Sequence, residues 1–393
     1  MASTRKGFVG AALVLALALV AAACSDDGGT SEPGGSGSAG GEGSIWVLLP
    51  DTESSTRWEE DDFVYFTENF EAAGLTQGED FTIVNAEGDA TTQQSQAENA
   101  IADGASVIVL TSLDTGSGAA IIDQATEAGV AVVEYDRFNT GGAGGAAYVS
   151  FDNVAVGAAM AEVLGPTIDD LGLDPARVVM LNGGEEDNNS FLFKQGYEAT
   201  VTEHVDAGTW ELVADQHVPG WDNAEALTIM EQILVDANNG VDAVFAANDG
   251  LAAATANAVE AAGMDPIPIS GQDATAEGMQ NILLGRQTMS VYKPIQNEAG
   301  LASAVALAIR AGEDILTTDF SDYDYELIGI NAADGQPTDS PEGEGVVPYF
   351  GLVPIPVTEE NMADTVIADG FRTVEEICTG DVAQTDWCTE NAA

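Results

Sequence analysis

The chain has 393 residues, 45% of them hydrophobic, enough for two α/β lobes or one long domain with an ample core. Its 66 acidic residues against 10 basic ones give a net charge of −56, which excludes nucleic acid as a partner because phosphates would be repelled. The simplest reading of this charge is a solvated acidic surface, as in proteins adapted to salty surroundings.

Arg5 and Lys6 form a short positive region, and Phe8 to Val20 an apolar run of signal-peptide length, too short to span a bilayer. Ala21-Ala22-Ala23-Cys24 resembles a bacterial lipobox, although Ala21 stands where Leu is commoner. Cys24 is therefore expected to become a lipid-modified N-terminus once the signal peptide, residues 1–23, is removed. The remainder carries eight basic and 66 acidic residues, a net charge of −58. Residues 24–44, dominated by Gly and Ser, read as the anchor and a flexible tether. The expected location is the extracellular face of the cytoplasmic membrane.

From Ile45 onward, short apolar runs alternate with longer amphipathic ones. The first series of strands is predicted at 45–50, 81–86, 106–111, 131–136 and 147–151. A second is predicted at 177–182, 211–216, 242–247, 266–271 and 288–292. Helical segments such as 92–104 and 223–237 lie between them. Repeated βα units imply parallel sheets with helices on both faces, and two series imply two similar lobes. Near the C-terminus, Cys378 and Cys388 have nine residues between them. Outside the cell that pair reads as a disulfide closing a short loop. With only two histidines, His204 and His217, and no second cysteine pair, no zinc site is expected.

Polar residues of unusual kinds sit just past the strand ends. Asp51 and Arg57 follow the first strand, Asp136 and Arg137 the fourth, and Asp187 and Asn189 the sixth. Trp221, then Asn248 and Asp249, then Asp273, then Lys293 follow the next four. In open α/β sheets the ligand crevice lies outside the carboxyl ends of the strands, so two such rims facing each other make a cleft. A single Asp or Asn there also reads as a helix N-cap. Capping explains Arg57, Arg137, Trp221 and Lys293 poorly. Three of the eight basic residues after Cys24 belong to this set.

Asp accepts hydrogen bonds, Asn does both, Arg and Lys only donate, and Trp offers a flat face. That mixture suits a neutral polyol. An amino acid would more often need a carboxylate clamp, and a phosphate a Gly-rich loop, of which no GxxxxGK[ST] form occurs. No GxSxG elbow is present, and coincidental carboxylate pairs are expected among 66 acids. His217, near Trp221, reads as a loop or rim residue. The stretch 318–326 lacks the EF-hand spacing and reads as a solvated acidic face, and GGAGG at 141–145 as a turn.

The motifs Arg57-Trp58, Tyr135-Asp136-Arg137, Val149-Ser150-Phe151-Asp152-Asn153, Gly183-Gly184 with Asp187-Asn188-Asn189, Gly220-Trp221, Ala247-Asn248-Asp249, Ser270-Gly271-Gln272-Asp273 and Thr288 to Ile295 occur in this order. Together they resemble the periplasmic sugar-binding proteins of the ribose/galactose/xylose type, most closely the D-xylose-binding members, from about Ile45 to Phe371. The resemblance implies a type I periplasmic binding protein fold: α/β, two Rossmann-like lobes with parallel sheets joined by a three-segment hinge. It implies an N-terminal lobe of 45–152 plus 296–328 and a C-terminal lobe of 153–295 plus 329–393. The ligand contacts it implies are Arg57, Arg137, Asp187, Asn189, Trp221, Asn248, Asp273 and Lys293, with Trp58 adjoining. The implied function is capture of a monosaccharide, D-xylose first, by a monomer with no cofactor and no chemistry of its own, and delivery to the permease of an ABC importer. Binding of another pentose or hexose in import or sensing, or an extracellular carbohydrate-active enzyme, are the alternatives. The acidic insertion from Asp334 to Glu344, the cysteine pair, the anchor and the extreme charge depart from the family's pattern.

Overall fold

A computed structural model describes residues 43–391 except Glu53. The signal peptide, Cys24 and the tether up to residue 42 lie outside the described residues. Strands β1 (Ile45–Leu49), β2 (Phe81–Asn85), β3 (Val107–Leu110), β4 (Ala131–Tyr135) and β5 (Ala147–Phe151) pair in parallel. Val107–Leu110 is buried throughout, as a strand covered on both faces must be. The helices α1 (Phe63–Ala72), α2 (Ala90–Ala102) and α3 (Thr115–Glu127) connect them. Asp89 and Asp114 start α2 and α3 by accepting hydrogen bonds from Thr92 N and Ser117 N.

The second parallel sheet holds β6 (Ala176–Asn182), β7 (Trp210–His217) and β8 (Ala243–Ala246), in the order β7-β6-β8. Its helices are α4 (Asn153–Asp169), α5 (Asn188–Ala207), α6 (Asn223–Asp236), α7 (Asp249–Ala261) and α8 (Ala276–Leu283). The short strand β9 (Ser290–Tyr292) follows, and then α9 (Ile295–Ala311), which packs back on α1 and the first sheet. The predicted strand at 266–271 is not one. Pro266 and Pro268 lack the amides a ladder needs, and only bridges at Ile269 and Gln272 join this segment to β8 and β9.

Four strands went unpredicted. β10 (Tyr325–Asn331) and β12 (Val346–Leu352) lie antiparallel, with the two-residue β11 (Pro337–Thr338) outside β10, and β12 pairs in parallel with β5. The first sheet therefore has eight strands, β11-β10-β12-β5-β4-β3-β1-β2. This corrects the expected lobe boundary. Residues 329–352 belong with the first sheet rather than the second lobe, because Val347, Phe350 and Leu352 are buried there. The acidic run around Asp334 to Glu344 lies between β10 and β12 and contains β11, and Tyr325 and Glu326 of the acidic stretch 318–326 begin β10. No cluster able to hold a metal ion occurs among the described residues. From β12 the chain enters β13 (Ile355–Val357), which pairs with β9. Thus the chain passes between the two sheets three times, after β5, after β9 and after β12. Cys378 and Cys388 form a disulfide, Cα–Cα 5.6 Å, stapling the C-terminal loop.

Candidate functional site

Five of the parallel strands deliver residues past their carboxyl ends to the same crevice. Arg57 and Trp58 follow β1, Asp136 and Arg137 follow β4, Asp187 and Asn189 follow β6, Trp221 follows β7, and Asn248 follows β8. Asp273 and Lys293 flank β9. The nine residues that the resemblance marked as ligand contacts, Trp58 included, line one cavity with an empty volume of about 320 Å³, whereas Asp249 of the strand-end set does not. Ser54, Ser55, Asp136, Phe193 and Gln272 complete the lining. Phe193 lies one helical turn beyond Asn189, and Gln272 precedes Asp273, so their spacing could have flagged them. Nothing in the sequence marked Ser54 and Ser55. Asp51 does not line the cavity. Its carboxylate accepts from the Ser54 amide at 2.6 Å and hydroxyl at 2.9 Å, and so shapes that loop. His217 stays outside, its Nδ1 2.8 Å from the Gly183 carbonyl.

The capping and cavity readings hold together for two residues. Asp187 Oδ1 accepts from Asn189 N at 2.9 Å, starting α5, while its Oδ2 lies 3.2 Å from Arg137 Nε. Asn248 Oδ1 accepts from Leu251 N at 2.8 Å, starting α7. Three site residues other than glycine hold left-handed backbone: Asp136 at φ 60°, Trp221 at φ 56° and Asp273 at φ 89°. Such conformations cost about 1–3 kcal/mol each and persist where the surroundings impose them. The indole of Trp221 lies against Gly183, where any Cβ would collide with the ring. That contact is a reason for the Gly183-Gly184 pair.

Arg57 is the most constrained group. Its Nε and Nη2 bind both oxygens of Asp62 at 2.9 and 2.8 Å. Nη2 also reaches Glu298 Oε2, on α9, at 2.8 Å, and Nη1 reaches Asp136 Oδ2 at 2.8 Å. Four of its five N–H donors are thus committed, and one on Nη1 remains. Lys293 Nζ lies 3.4 Å from Asp136 Oδ2 and 3.3 Å from Asp273 Oδ1. The guanidinium groups of Arg57 and Arg137 lie 4.3 and 5.5 Å from the Trp58 ring centre. The Asp136 carbonyl accepts from Tyr148, Ser150 and Asn189 at 2.8, 2.9 and 2.8 Å. Contacts such as Arg137–Asp187 and Asp136–Asn189 join the two rims.

Every basic residue among the described ones pairs with a carboxylate. Pairing alone therefore does not mark the site; burial does. The side chains of Arg57, Arg137 and Lys293 are 3–7% exposed, and those of Arg177, Lys194, Arg286 and Arg310 18–42%. The exception is Arg372, buried away from the cavity in a two-bond pair with Asp61 at 2.9 Å. Sequence reasoning had not separated it from the others.

Burial pushes the Glu298 carboxyl up despite Arg57, and pushes Asp187 up despite Arg137. Burial acts the same way on Asp136, but Lys293, Arg57 and Arg137 outweigh it and hold that carboxyl low. Away from the cavity, burial raises Glu134 and Asp249 to about 7 each. These two hold protons in the fold that the unfolded chain releases near pH 4. Their stabilisation is complete below that pH and is lost as pH rises through 7. Asp136 behaves oppositely, and its contribution is lost only on strong acidification. We expect the unfolding temperature to fall between pH 5 and pH 8, with Glu134 and Asp249 each contributing up to about 3 kcal/mol. Calorimetric scans across this range test it, and an unfolding temperature that rises toward pH 8 would contradict the assignment.

Buried polar atoms with no hydrogen-bond partner in the protein gather at this cavity. They include Trp221 Nε1, Gln272 Oε1, Asp273 Oδ1 and Ser55 Oγ. Such atoms are rare in folded proteins and each needs a partner. Donors and acceptors line the cavity together with the aromatic side chains of Trp58, Phe193 and Trp221. The arrangement can hold a small neutral polyol on all sides.

The sequence matches the periplasmic binding protein domain family over residues 46–314. The D-xylose-binding periplasmic protein of Escherichia coli K12 is 34% identical over 322 residues, covering 82% of this chain and 88% of that protein. The protein of the same description from Haemophilus influenzae is 33% identical over 82% of this chain and 88% of its own length. Among solved structures, a carbohydrate transporter solute-binding protein from Chloroflexus aurantiacus in complex with D-glucose superposes with a TM-score of 0.72 at 24% identity. It covers 84% of this chain and 97% of its own.

Proposed function

The chain belongs to the periplasmic binding protein family, and on that premise we propose that it captures a monosaccharide, D-xylose first, and delivers it to the permease of an ABC importer. The observation that carries this reading is the convergence of unpartnered buried donors and acceptors on one small cavity between two rims. Xylose offers hydroxyls for those atoms and C–H faces for Trp58 and Trp221. Its neutrality suits a lining in which Arg57, Arg137 and Lys293 are already paired. Relatives described as D-xylose-binding proteins support the choice of sugar. The protein acts as a receptor, with no chemistry of its own. The lobes move about the three crossings, and the sugar favours the closed form by touching both rims.

Isothermal titration against pentoses and hexoses tests the reading. D-xylose should give the strongest response, with a rise in unfolding temperature by mass action. A panel in which no sugar binds, or in which a chromogenic glycoside is turned over, would overturn it.

The protein works as a monomer held by a lipid at Cys24, whose signal sequence supports this placement, at the outer face of the cytoplasmic membrane. No helix among the described residues is long and apolar enough to cross a membrane. Cys24→Ser should release the protein from membranes or block its maturation. Normal processing with unchanged membrane retention would refute the anchor.

A further inference from the structure

The sugar cavity is not the end of the cleft. Ser54, Ser55, Asn248 and Asp273 also line a second space of about 570 Å³, which continues outward between the two rims. Glu60 borders it from the first sheet's side, and Asn223, Ala276 and Glu277 border it at helix starts of the second. Three observations set it apart from a bare solvent path. Asp273 is buried at the boundary of the two spaces, its Oδ1 without a hydrogen bond and held only by the ion pair with Lys293 Nζ at 3.3 Å. Ser55 Oγ, at the same boundary, is also buried without a partner. The Asn248 side chain, whose Oδ1 caps α7, brings an amide NH2 donor to both spaces. These groups belong to both spaces at once, so a ligand bridging them would satisfy more of them than one confined to the inner cavity.

Charge restricts what the outer part can take. Glu60, Asp273 and Glu277 border it, and no basic or aromatic side chain does. A phosphate or uronate would meet carboxylates without a compensating cation. Hydroxyls would find acceptors in those carboxylates and donors in Ser55, Asn223 and Asn248.

We propose that the site accepts a sugar bearing a second neutral sugar unit, the first unit in the inner cavity and the second in this outer space. The inference rests on the monosaccharide reading above and extends its ligand class to short neutral glycosides. Gly250 keeps the outer space open, since a Cβ there would meet Asn223 Oδ1 at 2.5 Å.

Titration of the full chain with D-xylose and with β-1,4-xylobiose tests the proposal, together with Ala276→Trp and Asn223→Ala, neither of which touches the inner cavity. The parent should bind xylobiose within about tenfold of D-xylose. Ala276→Trp should weaken xylobiose by more than about tenfold and D-xylose by less than about twofold. Asn223→Ala, a milder change, should act in the same direction, which guards against a misfolded tryptophan variant. D-xylose binding with xylobiose more than about tenfold weaker in the parent would overturn the extension alone. So would equal losses for both sugars in the two variants. Absence of binding by either sugar would instead fail the monosaccharide reading, and the extension with it.

Discussion

Asp273→Ala should weaken D-xylose binding by about 10- to 150-fold while leaving the protein folded. A hydrogen bond to a charged group contributes roughly 1.5–3 kcal/mol, and about 1.4 kcal/mol is a decade in affinity. Asp273 is buried, and its Oδ1 accepts no hydrogen bond from the protein although Lys293 Nζ lies 3.3 Å away. Its Oδ1 is therefore held only by that ion pair and keeps lone pairs for a ligand hydroxyl. Lys293 keeps Asp136 as a second partner at 3.4 Å, so the substitution does not strand a buried cation. Trp221→Ala should have a comparable effect, because the indole supplies both an unpartnered donor and a flat face. Glu342→Ala, exposed in the β11–β12 connection, should bind like the parent. Titration calorimetry of the three variants decides the matter. Parent-like affinity in folded Asp273→Ala and Trp221→Ala would show that these residues serve the loops rather than the ligand.

Arg57→Ala should act on the fold itself, with a loss of about 3–5 kcal/mol in unfolding free energy. The guanidinium is the shared partner of Asp62, Asp136 and Glu298, each within 2.9 Å. Asp62 and Glu298 are fully buried. Removing the cation leaves carboxylates in a dry interior with only Lys293 near Asp136, and such charges are expensive to keep. Arg57→Lys should recover little, since one ammonium cannot reproduce the two-bond geometry with Asp62. Urea unfolding without sugar measures both variants. A loss below about 1 kcal/mol in Arg57→Ala would show that the cluster relaxes or takes up protons, and that Arg57 serves the ligand alone. Asp273 and Arg57 line the same cavity, yet one is free to bind and the other holds the wall together.

Several features were determined by the sequence itself. Short apolar runs alternating with amphipathic ones placed nine of the ten predicted strands, because a parallel strand buried on both faces must be apolar throughout. Polar residues just past those strands marked the cavity, because βα topology sends every strand's carboxyl end to one edge. Nine of the eleven strand-end residues line it, and Asp51 and Asp249 do not. Other features depended on distant parts of the chain. β10 and β12 hide behind acidic neighbours, and what makes Val347, Phe350 and Leu352 a strand is the free edge of β5. Pro266 and Pro268 sit in an apolar run whose ladder they break. Ser54 and Ser55 carry no local signal, and they reach the cavity only because Asp51 turns their loop inward. Strand-end position singled out Arg57, Arg137 and Lys293 among the eight basic residues after Cys24, but nothing local showed which of the eight are buried in ion pairs. Which are buried among carboxylates depends on contacts such as Arg57 with Glu298, 241 residues apart, and Arg372 with Asp61, 311 apart. Local pattern carries secondary structure and strand ends because it reflects which face of an element is buried. The environment of a buried charge is set by chain segments brought together only by folding, so tertiary structure alone decided it.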